Sequence, residues 1–219
     1  MSPGATVADQ LVDNNSQIRK HGTQLMAIAD GSAAVPSSFW SIDTTTRAGK
    51  TLVLPNLLPA GYVNMGYITT DGISESRDVG SSDLNMVQDI EPVRSDIETL
   101  TRTLQVTFGE SSSWTKALAH NIPVKDWPAT KSSSFAYHDG AVNEFPYYRI
   151  LILTQDGVGD AAVYRVEFAY RAKITDMGDR TLNRTDAETT QRTFTCYRDE
   201  VVGKSYSELS EPAVRNTTA

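Results

Sequence analysis

Three histidines, one cysteine and a scatter of carboxylates are the groups in this chain whose types and spacing could make a reactive site. His21, His120 and His138 form no H-E-x-x-H or H-x-H spacing, the patterns that gather zinc ligands on one element. His138-Asp139 sets an imidazole beside a carboxylate, but in a polar loop such a pair is solvated rather than poised for acid–base work. The chain contains no G-x-S-x-G elbow, no G-x-G-x-x-G and no P-loop. Asp156-Gly157-Val158-Gly159-Asp160 has the acidic, glycine-rich character of a calcium loop. It lacks the alternating acceptors and closing Glu of an EF-hand, and a hairpin turn accounts for the same residues. Cys196 has no partner for a disulfide, and its place in an alternating stretch reads as a small buried hydrophobe. The expectation is a protein with no catalytic residues, no metal and no cofactor, and so not an enzyme.

Bulk properties narrow the class further. The 219 residues include 39% hydrophobic and 21% charged side chains, a globular balance with enough chain for a sizeable core. The formal net charge is −7. Binding a polyanion by counterion release needs clustered Lys and Arg, and the longest basic step is Arg19-Lys20. Specific nucleic-acid binding is therefore not expected, whereas an acidic wall beside nucleic acid would repel it. No apolar run approaches the roughly 20 residues of a membrane helix, and Met1 to Lys20 has no signal-peptide core, so no membrane anchor is expected.

The elements are strands. Gln24–Ala29 is a short apolar strand, ended by turn chemistry at Asp30-Gly31-Ser32. Tyr62–Thr69 reads as a strand closed by Thr70-Asp71-Gly72, and residues 73–95 as an extended loop or edge strand. Thr99–Phe108 alternates, with Leu100, Leu104, Val106 and Phe108 on one face and Thr101, Thr103, Gln105 and Thr107 on the other. Arg102 interrupts the apolar face. Ser111-Ser112-Ser113 can cap a short helix running to about His120. Tyr147–Thr154 and Ala161–Ile174 form a hairpin across the glycine-rich turn. In its second strand Tyr164, Val166, Phe168, Tyr170, Ala172 and Ile174 share one face, and Arg165, Glu167, Arg171 and Lys173 the other. Arg192–Val202 is the last strand. Residues 1–23 read as an N-terminal arm, 24–204 as the domain, and 205–219 as a C-terminal tail that orders only in an assembly. Long polar loops without catalytic signatures point to contacts with neighbouring subunits. Phe39, Trp40, Trp114 and Trp127 offer an alternative, a stacking platform in a receptor- or carbohydrate-binding module.

Several stretches resemble the major tail proteins, or tail tube subunits, of siphophages. Residues 24–36 look like the family's opening strand and small-residue loop, and 61–73 like its strand running into an acid-glycine turn. Asp83-Leu84-Asn85-Met86-Val87-Gln88 is similar to its next element, with Val87 where the family often has Trp. Residues 94–110 resemble its Thr-rich strand, and 114–120 its short helix. The inserted loops at 40–60 and 121–145 depart from the pattern. The resemblance implies a mostly β fold, a β-sandwich with one short flanking helix, extended N- and C-terminal arms and long loops. It implies six-membered rings whose sheets join into an inner barrel and stack into a tube that DNA traverses without specific binding. Partners would be further copies of the chain and other tail proteins, such as the tape measure, tail terminator and distal tail protein. The location would be the virion tail, assembled in the host cytoplasm. Subunit contacts are expected at Asp71, Gly72, Ile73, Leu84, Met86, Val87, Ile90 and Arg94, with the two arms and the loop at 70–95 joining rings and an electronegative lumen.

Overall fold

The computed structural model describes residues 18–36, 58–87, 91–138, 140, 145–158, 162–180, 182 and 184–210, and residues 42–47 and 50–52 by their backbone. Among them the strands are β1 (Thr23–Asp30), β2 (Ile42–Arg47), β3 (Lys50–Leu52), β4 (Val63–Asn64), β5 (Ile68–Leu84), β6 (Arg94–Phe108), β7 (Tyr148–Asp156), β8 (Val163–Met177), β9 (Thr190–Tyr197) and β10 (Tyr206–Ser210). The helix α1 (Ser113–Ala119) follows β6, and a single 3-10 turn covers Val124–Asp126. The fold is mostly β and antiparallel, a β-sandwich with one short helix, as the sequence led us to expect.

Strands β2 and β3 pair with each other, and the remaining eight form one sheet in the order β4-β1-β7-β8-β9-β6-β5, with β10 also on β8. Strand β8 is the hub. Its N-terminal part lies between β7 and β10, and its C-terminal part carries β9. Tyr148 pairs with Ala172 but Ile150 pairs with Ala169, so β8 holds one extra residue near Tyr170-Arg171. An insertion of one residue exchanges the two faces of a strand. Before it, Val166, Phe168 and Tyr170 enter one core; after it, Ala172 and Ile174 enter the other.

The inner core gathers Met26, Ile28, Leu104, Phe108, Tyr148, Ile150 and Phe194, with Leu118 of α1 against it. The outer core holds Ala27, Ala29, Leu151 and Phe168 beneath Tyr62. Strand β1 serves both, and for that reason Met26-Ala27-Ile28-Ala29 is a continuous apolar run instead of an alternation. Helix α1 starts with a reciprocal cap. The Thr115 N–H donates to the Ser112 hydroxyl (3.2 Å), and the Ser112 N–H donates to the Thr115 hydroxyl (2.8 Å). The loop after it is pinned by two indoles: Trp127 Nε1 donates to the Ile122 carbonyl and Trp114 Nε1 to the Pro128 carbonyl, both at 2.7 Å.

Four expectations are corrected. The strand expected over Tyr62–Thr69 is split into Val63–Asn64 and the start of β5 at Ile68, and Asp71-Gly72 is not a closing turn but lies inside β5. Gly72 has φ +72, and the register moves from Ile68↔Phe108 to Ile73↔Val106 around it, so the glycine serves a bulge. The single apolar face expected from Tyr164 to Ile174 is split by the β8 bulge, which also puts Arg165 on the opposite face from Arg171 and Lys173. Strand β9 ends at Tyr197, short of Val202, because the Asp199 carboxylate accepts the N–H groups of Val201 and Val202 (2.9 Å each) and turns the chain. Tyr206–Ser210, assigned to the tail, is strand β10 paired with β8. The expected arm lies largely outside the described residues, and Thr23 already belongs to β1.

Two measurements check this packing. Phe194 is fully buried and meets Tyr148 edge-on, so Phe194→Ala should cost about 3–5 kcal/mol of unfolding free energy in urea titrations. Asp199 is held below the usual carboxylate range by the Val202 and Val201 N–H groups and by Arg149. Its ionised form therefore adds stability above the ordinary carboxylate pKa, and that stability is lost as pH falls through the lower, folded-state value. Asp199→Asn should be less stable than the native chain at neutral pH, and the gap should shrink on acidification below about pH 4.

Candidate assembly surface

Strand β6 has neighbours on both sides only from Arg102 onward, where it lies between β5 and β9. From Arg94 to Thr101 it pairs with β5 alone, and every residue of that segment is exposed. The outer edge of β5 has no strand partner among the described residues. The two strands leave the body as a ribbon that reaches about 25 Å from Arg102 to Arg94. Its end is closed by the Val93 N–H donating to the Leu84 carbonyl (2.9 Å).

The ribbon is not polar all round. Residues opposite one another in an antiparallel pair share a face. Val79 lies opposite Leu100 and Ser81 opposite Ile97, on the same face as Leu104 and Val106 of the inner core. The core stripe of β6 thus continues into water through Leu100 (71% exposed) and Ile97 (73%), with Val79 (51%) beside them. Met86, Val87 and Val93 add exposed apolar surface at the tip.

A charged belt marks where the ribbon leaves the body. Glu75 forms an ion pair with Arg102 (3.3 Å) and accepts from Arg77 (2.7 Å), and the Arg102 guanidinium lies 3.8 Å from the centre of the Tyr206 ring. The Tyr206 hydroxyl donates to Glu167, which also pairs with Arg165, and Arg165 reaches Glu208 at 3.2 Å. Burial, followed by the bond to Glu167, pushes the Tyr206 hydroxyl pKa up. Arg102 therefore breaks the apolar face for a reason: it closes the inner core with a polar layer and ties β6 to β5 and β10.

The opposite face of β5, β6 and β9 is a hydroxyl-rich surface. Ser76 lies opposite Thr103 and Thr103 opposite Thr195, while Gln105 lies between Ser74 and Thr193. Gln105 donates to Thr193 at 3.5 Å, and Thr195 and Thr175 share a hydroxyl hydrogen bond of 2.8 Å.

The contact residues expected from sequence separate into two groups. Asp71, Gly72 and Ile73 sit at the root of β5; Leu84, Met86, Val87 and Arg94 sit at the tip, where Arg94 pairs with Asp96 (2.8 Å). Ile90 lies outside the described residues. Val79, Val93, Ile97 and Leu100 were not singled out as contacts. Leu100 continues the β6 alternation past the last residue that the body buries, but Ile97 reaches the same face only through a register shift at Glu98, which the sequence does not announce. Trp114 and Trp127 spend their N–H groups on backbone carbonyls and pack against the inner core, so they form no open sugar platform; Phe39 and Trp40 lie outside the described residues. His120 stacks on Tyr137 with ring centres 4.1 Å apart, while Asp139 beside His138 lies outside the described residues. Among the described residues no three His, Cys, Asp or Glu side chains gather as a metal site, and no helix is long and apolar enough to cross a membrane. Burial pushes the Cys196 thiol up to about 12.

Replacing the belt's shared acceptor should loosen the ribbon without unfolding the body. Glu75→Gln is expected to raise trypsin cleavage at Arg77 and Arg94 severalfold, while near-UV circular dichroism stays native.

No family model and no curated protein sequence matches this chain. Among solved structures, it is similar to a chain of the anti-feeding prophage baseplate, determined by cryo-electron microscopy with six-fold symmetrisation. The two share 11% identity over 85% of this chain and 91% of that one, with a TM-score of 0.37.

Proposed function

We propose that this chain is a structural, non-catalytic virion protein, the tail tube subunit of a long-tailed phage. It polymerises as stacked, six-membered rings into the conduit for DNA delivery, with the tape measure, tail terminator and distal tail proteins as partners. It assembles in the host cytoplasm and resides in the virion tail. The observation that carries this reading is the β5–β6 ribbon. A two-stranded hairpin is marginal on its own in water, and this one exposes two unpaired edges and an apolar face. Neighbouring copies supply what it lacks. A ribbon on one side of the body that meets a different surface on the next copy makes a heterologous contact, which closes into rings or continues as a fibre. The resemblance at residues 24–36, 61–73, 83–88, 94–110 and 114–120 points the same way.

The hydroxyl face of β5, β6 and β9 fits the wall of such a conduit. Ser76, Thr103, Gln105, Thr193 and Thr195 hold water by hydrogen bonding and offer no fixed positive charge, so passing DNA releases no counterions there and is not retained. Lys173, directly opposite Thr195, and Arg171 beside it border this patch on its β8 side.

Negative-stain electron microscopy of the concentrated protein should show rings or tubes with a central hole. The double variant Ile97→Lys/Leu100→Lys should remain monomeric with native circular dichroism. Assembly of that variant at native yield would remove the ribbon from the account, and glycan binding by a strictly monomeric native chain would favour a carbohydrate-binding module. The double variant Thr103→Lys/Thr195→Lys should still assemble, and its tubes should retain DNA at low salt and release it at high salt, unlike native tubes.

A further inference from the structure

The body carries, at the strand ends from which the ribbon leaves, a surface that matches the ribbon in charge and in apolar character. There the starts of β7 and β9's outgoing turn enclose a cleft of about 750 Å³, lined by Tyr147, Arg149, Arg171 and Val201 among others. Its floor is fixed: Arg149 is buried and donates to Asp199 (3.0 Å) and to the Gly31 carbonyl (3.0 Å). Its rim is aromatic and cationic. The Arg171 guanidinium lies 4.0 Å from the centre of the Tyr147 ring, Lys173 lies 5.3 Å from the same ring, and Tyr197 meets Tyr147 edge-on. Val201 is 94% exposed, and Phe145 and Tyr197 are also open to water.

The charges left over on the two surfaces are opposite. On the ribbon, Arg77 is taken by Glu75 and Arg94 by Asp96, while Asp83, on the Val79 face, and Glu98, beside Ile97, have no basic partner among the described residues. Around the cleft, Arg149 is taken by Asp199 and Arg171 by Glu200, and the one acid without a basic partner, Asp30, accepts from Ser32; Lys125, Lys173 and Arg198 have no acidic partner among the described residues, so positive charge is in surplus. Each side thus presents apolar side chains ringed by unmatched charge, negative on the ribbon and positive on the cleft.

The ribbon cannot fill the cleft of its own chain. The ribbon's apolar residues lie on the inner-core face of the sheet, and Tyr197, Arg171 and Lys173 lie on the other face. The ribbon also runs from Arg102, opposite Cys196 near the cleft, away toward its tip. We infer that the ribbon of one copy docks into the Tyr147–Lys173–Val201 cleft of a second copy. This contact rests on the assembly reading above and names the receiving surface. Val79, Ile97 and Leu100 cover Phe145, Tyr197 and Val201, while Asp83 and Glu98 meet Lys125, Lys173 and Arg198. Every copy carries both halves, so the contact propagates head to tail.

A charge exchange tests it. One variant reverses the ribbon (Asp83→Lys/Glu98→Lys) and a second reverses the cleft (Lys125→Glu/Lys173→Glu). Each is checked for native circular dichroism and melting, and then followed by light scattering and sedimentation. Each variant alone brings like charges together and should associate at least about tenfold more weakly than the native chain. Mixing the two in equal amounts restores opposite charge at both kinds of junction and should return association to near the native level. Variants that associate as the native chain does, or a mixture that stays as weak as its parts, would overturn this contact while leaving native assembly intact. A native chain that remains monomeric at millimolar concentration would instead overturn both the contact and the assembly reading.

Discussion

Backbone N–H and C=O groups on an unpaired strand edge and apolar side chains on an open sheet face are both unsatisfied in their own way, and the β5–β6 ribbon combines the two. The body cannot cover it. Strand β9 stops at Tyr197 because Asp199 turns the chain there, and the next strand, β10, aligns on β8 instead of on β6. The ribbon is therefore left without the neighbour that would have completed the sheet. The rest of the molecule is arranged around this omission, from the charged belt at Glu75 and Arg102 that seals the core behind it to the hydroxyl face that continues across its root.

The β8 bulge makes the arrangement possible. By exchanging inside and outside between Ala169 and Ala172, one strand serves two cores: Phe168 and Tyr170 go outward, Ala172 and Ile174 inward. A regular strand would have left either the covering of Tyr62 or the packing of Phe194 without a counterpart. The same bulge frees Arg171 and Lys173 to stand beside Tyr147 while Arg165 turns inward to Glu167.

Much of this was legible in the residues. The alternation from Leu100 to Phe108, the apolar run at Met26–Ala29, the serines before α1 and the glycine-rich β7–β8 hairpin all produced the elements expected of them, because each depends on local pattern and turn chemistry. What was not legible depends on partners distant in the chain. The bulge at Tyr170-Arg171 adds a residue without any glycine or proline to announce it. Gly72 carries the signal of a turn, but the pairing of β5 with β6 converts it into a bulge. Arg102 looked like an error in an apolar face until Glu75 and Tyr206 were placed beside it. The cleft residues come from the end of β1, the loop after α1, the start of β7, β8 and the turn after β9, and nothing in their separate sequences marks them as one surface.

The central claim is that the ribbon is completed by other copies, and amide hydrogen exchange tests it most directly. The N–H groups of residues 94–101 that do not point toward β5, and those on the outer edge of β5, should exchange rapidly in the monomer. Within assembled particles they should slow to the rates of the β7–β8 core. Slow exchange already in the monomer, or rapid exchange that persists after assembly, would contradict the account.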